Sequence, residues 1–207
     1  MKLLSSHRAP NPRRVLMFIA EKGITGITVE NLVLNEQQHQ TPEHLARSPF
    51  AKVPVLQLDD GRFLSETRAI CSYLEGQHPE PNLMGVDATE RAFIEMTDRQ
   101  CEHYLMAPLA QWIRHAHPGL AVLEGTQIPD YAKAQAEQAR RNAQRFDERL
   151  ATQPWMAGER FTIADITAFC AVEFARGLMK FKLDEASLPH LAAWRERVVA
   201  RPSAAAV

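Results

Sequence analysis

Apolar and polar positions along the chain change their period once. The first part interleaves short alternating runs with helix-spaced stretches, and the rest keeps only the helical spacing. Lys2–Leu4 reads as a short strand. After the turn "SSHRAPNPRRV", Val15, Leu16, Phe18 and Ile19 recur as one face of a helix that Gly23 is expected to end. Pro12 suits the first helical turn, where a missing N–H costs nothing, and Asn11 is placed to cap it through its side-chain oxygen. Ile27–Leu34 alternates as a second strand, so strand, helix and strand imply a right-handed crossover with parallel pairing. A polar stretch, Asn35–Gln40, precedes a short helix near Pro42–Arg47 with Thr41 as its N-cap. Val53–Leu58 and Arg62–Leu64 are joined by Asp59-Asp60-Gly61, a strong hairpin signal. Ser65–Glu75 is a helix with Ala69, Ile70, Tyr73 and Leu74 on one face.

The stretch "GQHPEPNLMG" (Gly76–Gly85) is rich in helix breakers and reads as a linker. Beyond it, Ala88–His115 is one long helical element, expected to bend near Pro108. Pro129–Leu150, residues 162–178 and Leu188–Arg201 follow, the last ended by Pro202. The fold class is therefore α/β followed by all-α. A thioredoxin-like domain is expected over 1–78, a linker over 79–87 and a helical-bundle domain over 88–207.

Charge narrows the partners. The chain has 207 residues with 24 Lys+Arg against 25 Asp+Glu, which argues against an electrostatically driven nucleic-acid partner. No apolar run approaches the roughly 20 residues of a membrane span. The amino end turns polar after two leucines, unlike a signal peptide, so a cytoplasmic location is expected. Cys71, Cys101 and Cys170 fall inside apolar helical patterns and no C-x-x-C occurs. They read as buried small hydrophobes, with no dithiol and no metal site expected. Any thiol chemistry has to be brought in by a ligand. The turn before Val15 is suited to receive one, because a helix amino end favours an anion or a thiolate.

At "AKVPVL", "LSETRAI" and "GERFTIAD" the sequence resembles the cytosolic glutathione transferases, bacterial and theta-like, of the Ser-Pro-Asn type. The resemblance runs from Met1 to the terminal "LPHLAAWRERVVARPS". It implies that Val53–Pro54 is cis and that the main chain of Val53 pairs with the cysteinyl part of glutathione. It also implies that Glu66 accepts from the γ-glutamyl ammonium, while the Thr67 hydroxyl and helix amides hold the neighbouring carboxylate. Lys52 and His39 would approach the glycine carboxylate. On the residues alone, these positions read as an edge proline, helix caps at Ser65 or Thr67, and solvated loop cations. Ala51 stands where many relatives have glycine, so no special backbone angle is expected there. Thr162-x-x-Asp165 is a capping box that the family uses in folding, and Trp155, Trp194 and Tyr131 are expected in the core.

Glutathione's free thiol should ionise near pH 8.5, as free cysteine does. Lowering that by about two units takes about 2.7 kcal/mol of differential stabilisation. In similar members the donor is a serine or threonine directly before Pro-Asn, and here that position is Ala9. No tyrosine lies near the first strand and no cysteine is at hand. Asn11, with the helix amides, is the expected catalytic donor, with Ser5, Ser6 and His7 at the strand end and Arg8 offering a positive field. A second-substrate pocket between the domains is expected to use Tyr104 and Trp112, for a hydrophobic electrophile or a peroxide. The resemblance further implies a two-fold homodimer, with Asp98 or Gln100 reaching the partner. A glutathione transferase, attacking an electrophile or reducing peroxides or disulfides, is the function implied. Ala9 is the feature that favours a non-catalytic binding or stress-factor module instead. A third reading is a maleylacetoacetate-type isomerase, whose serine-rich start Ser5-Ser6 matches and whose pattern the Pro-Asn-Pro turn does not.

Overall fold

The computed structural model describes residues 1–7, 9–181 and 187–206. The chain divides into two compact units, one built from Met1–Pro81 and one from Asn82–Ala204.

In the first unit, β1 (Lys2–Ser5), β2 (Thr28–Asn31), β3 (Val55–Gln57) and β4 (Phe63–Ser65) form one sheet in the order β2-β1-β3-β4. β1 pairs parallel with β2 and antiparallel with β3, and β3 pairs antiparallel with β4. Leu3 and Leu4 of β1 point to opposite faces and both are fully buried, so both faces of the central strand are covered. β2 is shorter than the alternation suggests. Leu32 N–H still reaches Ser5 O at 2.9 Å, and after it Gln38 Oε1 accepts from Val33 N–H at 2.8 Å as the chain turns away.

α1 (Pro10–Glu21) begins earlier than the pattern implies. Its N-cap is Ala9, without a side-chain bond, so Asn11 lies inside the first turn and is not the cap. Pro10 can take the first helical position because its fixed φ suits a helix and no N–H is needed there. At the other end Gly23, at φ 61, lets Ile24 N–H reach Ile19 O at 3.0 Å, closing a Schellman turn. α2 (Pro42–Arg47) is capped by Thr41, whose Oγ1 accepts from His44 N–H at 3.3 Å. α3 (Thr67–Gln77) starts from Glu66, which supplies no side-chain cap. Lys22, its side chain fully buried, ties α1 to α3 through Glu75 Oε2 at 2.6 Å.

The second unit contains α4 (Ala88–Gln100), α5 (Ala107–Ala116), α6 (Ala121–Glu124), α7 (Pro129–Leu150), α8 (Ile163–Met179) and α9 (Pro189–Val199). The long element expected over Ala88–His115 is interrupted by a π-helical stretch, Cys101–Met106, on the amino side of Pro108. The cause is chemical. Pro108 has no N–H to give Tyr104 O, four residues earlier, and Asn142 Nδ2 on α7 donates to that carbonyl instead at 2.7 Å. Asn142→Ala should lower stability by about 1 kcal/mol, because a part-buried carbonyl loses its partner. A urea midpoint unchanged from wild type would dissociate Asn142 from the π stretch.

α8 is the core helix, buried continuously from Ile163 to Val172. Its capping box is present, and Asp165 also accepts from Trp194 Nε1 at 2.8 Å and Met156 N–H at 2.9 Å. Trp194 is fully buried, as expected, whereas Tyr131 is 40% exposed with its ring edge against His115. Near the start of α7, it has only one neighbouring ring among the described residues to cover it. The three cysteines are buried and form no disulfide. Among the described residues, no helix is long and apolar enough to cross a membrane.

Candidate functional site

Sheet register gathers one set of residues. Leu4 near the end of β1 is opposite Val55 at the start of β3, and Val55 is opposite Ser65 at the end of β4. The turn into α1, the Val53–Pro54 bond and the Glu66–Thr67 turn into α3 therefore leave the sheet at one end. β2 runs parallel to β1, with Ser5 opposite Asn31, so the segment carrying His39 departs from that end as well. A direct contact joins two of these parts: Thr67 Oγ1 donates to Asn11 O at 3.5 Å.

The main chain here is unusual in several places. Val53–Pro54 is cis, as the resemblance implies. Ala51 has φ 53 and Glu66 φ 70, in the left-handed region that favours glycine. The expectation that Ala51 needs no special angle is thus overturned. A turn closed by Ala51 N–H to Ser48 O at 2.8 Å sets that conformation. Such conformations persist where the surroundings over-determine them, which is common at ligand sites.

Each expected contact can be placed. Among the described residues, neither main-chain group of Val53 has a hydrogen-bond partner, leaving one donor and one acceptor. The Glu66 carboxylate is exposed and makes no ion pair among the described residues. Thr67 is buried at the head of α3. The Lys52 side chain is exposed, while its main chain is pinned by Ser48 Oγ at 3.2 Å and by His44 Nε2 at 3.0 Å. His39 is half-buried in the short 3-10 turn Gln38–Gln40. Arg8 lies outside the described residues.

Prolines at 10 and 12 remove two of the amides that a helix start normally presents. What remains in the first turn belongs to Asn11: its main-chain N–H, unpaired among the described residues, and its side-chain amide. The sequence pattern does not single out three supporting residues here. His44 and Ser48 hold the loop before Pro54, and Arg14 donates to Asn11 Oδ1 at 3.2 Å. A helical wheel carries the Arg14 signal, since it falls three and four residues before buried Met17 and Phe18.

Tyr104 and Trp112 are not brought together. Trp112 lines a cavity of about 470 Å³ with His115, Gln127, Lys133, Ala136 and Arg140. Tyr104 lines another, of about 210 Å³, with Gln100, Asn142, Arg145, Phe146 and Arg149. Asp98 is fully buried and accepts from Thr167 Oγ1 at 2.5 Å and Arg99 Nη2 at 2.9 Å, so it is not placed to reach a partner chain. Gln100 Oε1 accepts from Arg149 Nη2 at 2.6 Å. Among the described residues no group of three or more His, Cys, Asp or Glu side chains could hold a metal ion.

Two family models match the chain: "Glutathione S-transferase, N-terminal domain" over residues 9–77 and "Glutathione S-transferase, C-terminal domain" over residues 105–202. Glutathione S-transferase 2 of Saccharomyces cerevisiae is 32% identical over 205 residues, covering 98% of this chain and 87% of that protein. The chain belongs to the glutathione S-transferase family. Solved structures agree. A glutathione S-transferase domain-containing protein from Marinobacter aquaeolei VT8 superposes with a TM-score of 0.93 at 40% identity, covering 98% of this chain and 99% of its own. Gtt2 from Saccharomyces cerevisiae gives 0.92 at 32% identity, covering 98% of both chains. Within this family, the sheet end described above falls in the span of the N-terminal domain model.

Proposed function

We propose that this protein is a glutathione transferase that binds glutathione at that sheet end and promotes attack of its thiolate on a hydrophobic electrophile or a peroxide. The observation that carries the reading is the convergence of the α1 start, the Val53–Pro54 bond and the Glu66–Thr67 turn. Each offers a group of the right polarity. Val53 supplies main-chain pairing for the cysteinyl residue. The open Glu66 carboxylate accepts from the γ-glutamyl ammonium, with the Thr67 hydroxyl and the α3 amides beside it for the carboxylate. Lys52, aided by His39, takes the glycine carboxylate. Asn11 donates to the sulfur where relatives of the Ser-Pro-Asn type use a hydroxyl, and Ala9 marks its loss. Trp112 in the larger cavity is the contact for an apolar acceptor.

The experiment that tests this is a pH titration of the thiolate ultraviolet absorbance of bound glutathione. An ionisation at least about one unit below the free thiol's is expected. Binding with an unchanged thiol pKa would instead make this turn a cradle without activating power.

We also assign two copies to the working enzyme, in the cytoplasm, where three cysteines outside any disulfide are at home. Phe93, Met96 and Tyr104 expose large apolar surface along α4 and the π stretch, of the kind that marks protein interfaces. Sedimentation should give twice the 23.3 kDa chain mass. A monomer at micromolar concentration would exclude the pairing.

A further inference from the structure

Arg14 is 1% exposed, and its side chain is among the largest fully buried ones in the chain. Desolvating a guanidinium is expensive, and arginine is rarely buried so completely unless paired. Among the contacts of Arg14 is the Asn11 amide, three residues earlier on the same helix surface: Nη1 donates to Asn11 Oδ1 at 3.2 Å. A guanidinium has donors and no acceptor, so it selects the oxygen end of that amide. The Nδ2 end then points away from Arg14. Of Ala9, Pro10, Asn11 and Pro12, which open the helix, Asn11 alone carries a side-chain N–H.

We propose that Arg14 is a positioning residue: it holds the Asn11 carboxamide by its oxygen so that Nδ2–H is presented to the sulfur of bound glutathione. The proposal rests on the reading of Asn11 given above. An unrestrained asparagine side chain could turn either end of its amide to the ligand, and its oxygen would repel a thiolate. Fixing the orientation removes the unproductive half of those states before glutathione arrives.

The test is the thiolate titration of bound glutathione in wild type, Asn11→Ala, Arg14→Lys and the double variant. Lysine keeps the charge and an aliphatic stem but lacks the planar fork. Asn11→Ala should raise the bound thiol's pKa by about one unit. Arg14→Lys should raise it by at least about half as much, and should add nothing in the Asn11→Ala background, with glutathione affinity held within about threefold. A wild-type thiol pKa in Arg14→Lys, beside a shift in Asn11→Ala, overturns the positioning role and leaves Asn11 as donor. An equal extra shift in the double variant shows Arg14 acting on the sulfur directly and also overturns it. No shift in Asn11→Ala removes the donor reading and the positioning role together. If Arg14→Lys does not fold, side-chain amide NMR of the wild type decides. One Asn11 amide orientation, with Nδ2 protons that follow the thiol's titration, supports the proposal, and exchange between two orientations overturns it.

Discussion

Asp165→Ala is expected to lower the unfolding free energy by about 4 kcal/mol, a large fraction of a typical domain's stability. The carboxylate is fully buried and accepts from Met156 N–H, Thr162 N–H, Thr162 Oγ1 and Trp194 Nε1 at 2.8–3.3 Å. Truncation strands two main-chain donors and an indole N–H in the core, each costing about 1–3 kcal/mol when left unpaired. The capping box of α8 and the anchor of α9 disappear together, because one side chain serves both. Chemical denaturation measures the loss, and a deficit below about 1 kcal/mol would mean that water replaces the carboxylate. The same group makes stability depend on pH. Burial raises its pKa from the ordinary value of 3.8 to about 6, against the lowering effect of its donors. A folded-state value above the unfolded one contributes stability that is complete below about pH 4 and lost as pH rises through about 6. The gap between wild type and Asp165→Asn should therefore narrow from about pH 4 to about pH 7, and a gap that widened would contradict the raised value.

Asn11→Ala is expected to cut turnover at neutral pH about tenfold while leaving glutathione bound. A hydrogen bond to a charged partner contributes about 1.5–3 kcal/mol, equivalent to about one to two pH units in the bound thiol. Ala9 has no hydroxyl and the two prolines remove helix amides, so few donors remain to compensate. The check is the pH profile of turnover, whose lower limb should move to higher pH by the same amount. If both rate and profile match the wild type, the sulfur is stabilised elsewhere. Asn142→Ala and the Arg14 variants test the scaffold and the amide's orientation separately.

Much of the fold is legible in one sequence, for local reasons. The change from alternating to helical period, the Asp59-Asp60-Gly61 turn, the Thr41 cap and the Thr162–Asp165 box depend on residues a few positions apart, and each appears in the structure. The errors also have local causes. Asn11 reads as a cap because Asn is a strong capping residue, but Pro10 has already begun the helix. Ala51 reads as relaxed because it is not glycine, but the turn around Ser48 imposes a left-handed angle on it. Asp98 reads as a polar residue able to reach outward, but Thr167 and Arg99 occupy its carboxylate.

Residue order alone specifies the sequence and type of the elements and the motifs that mark the family, since hydrophobic period, breakers and caps act over short distances. Which motifs meet is set by long-range packing. Register brings Asn11, Val53 and Thr67 to one sheet end, although up to 56 residues of chain separate them. Packing also buries Arg14 beneath Asn11, places Asn142 on the carbonyl that Pro108 leaves open, and puts Tyr104 and Trp112 in separate cavities. Those outcomes depend on strand pairing and helix packing between distant segments, for which the local pattern contains no term.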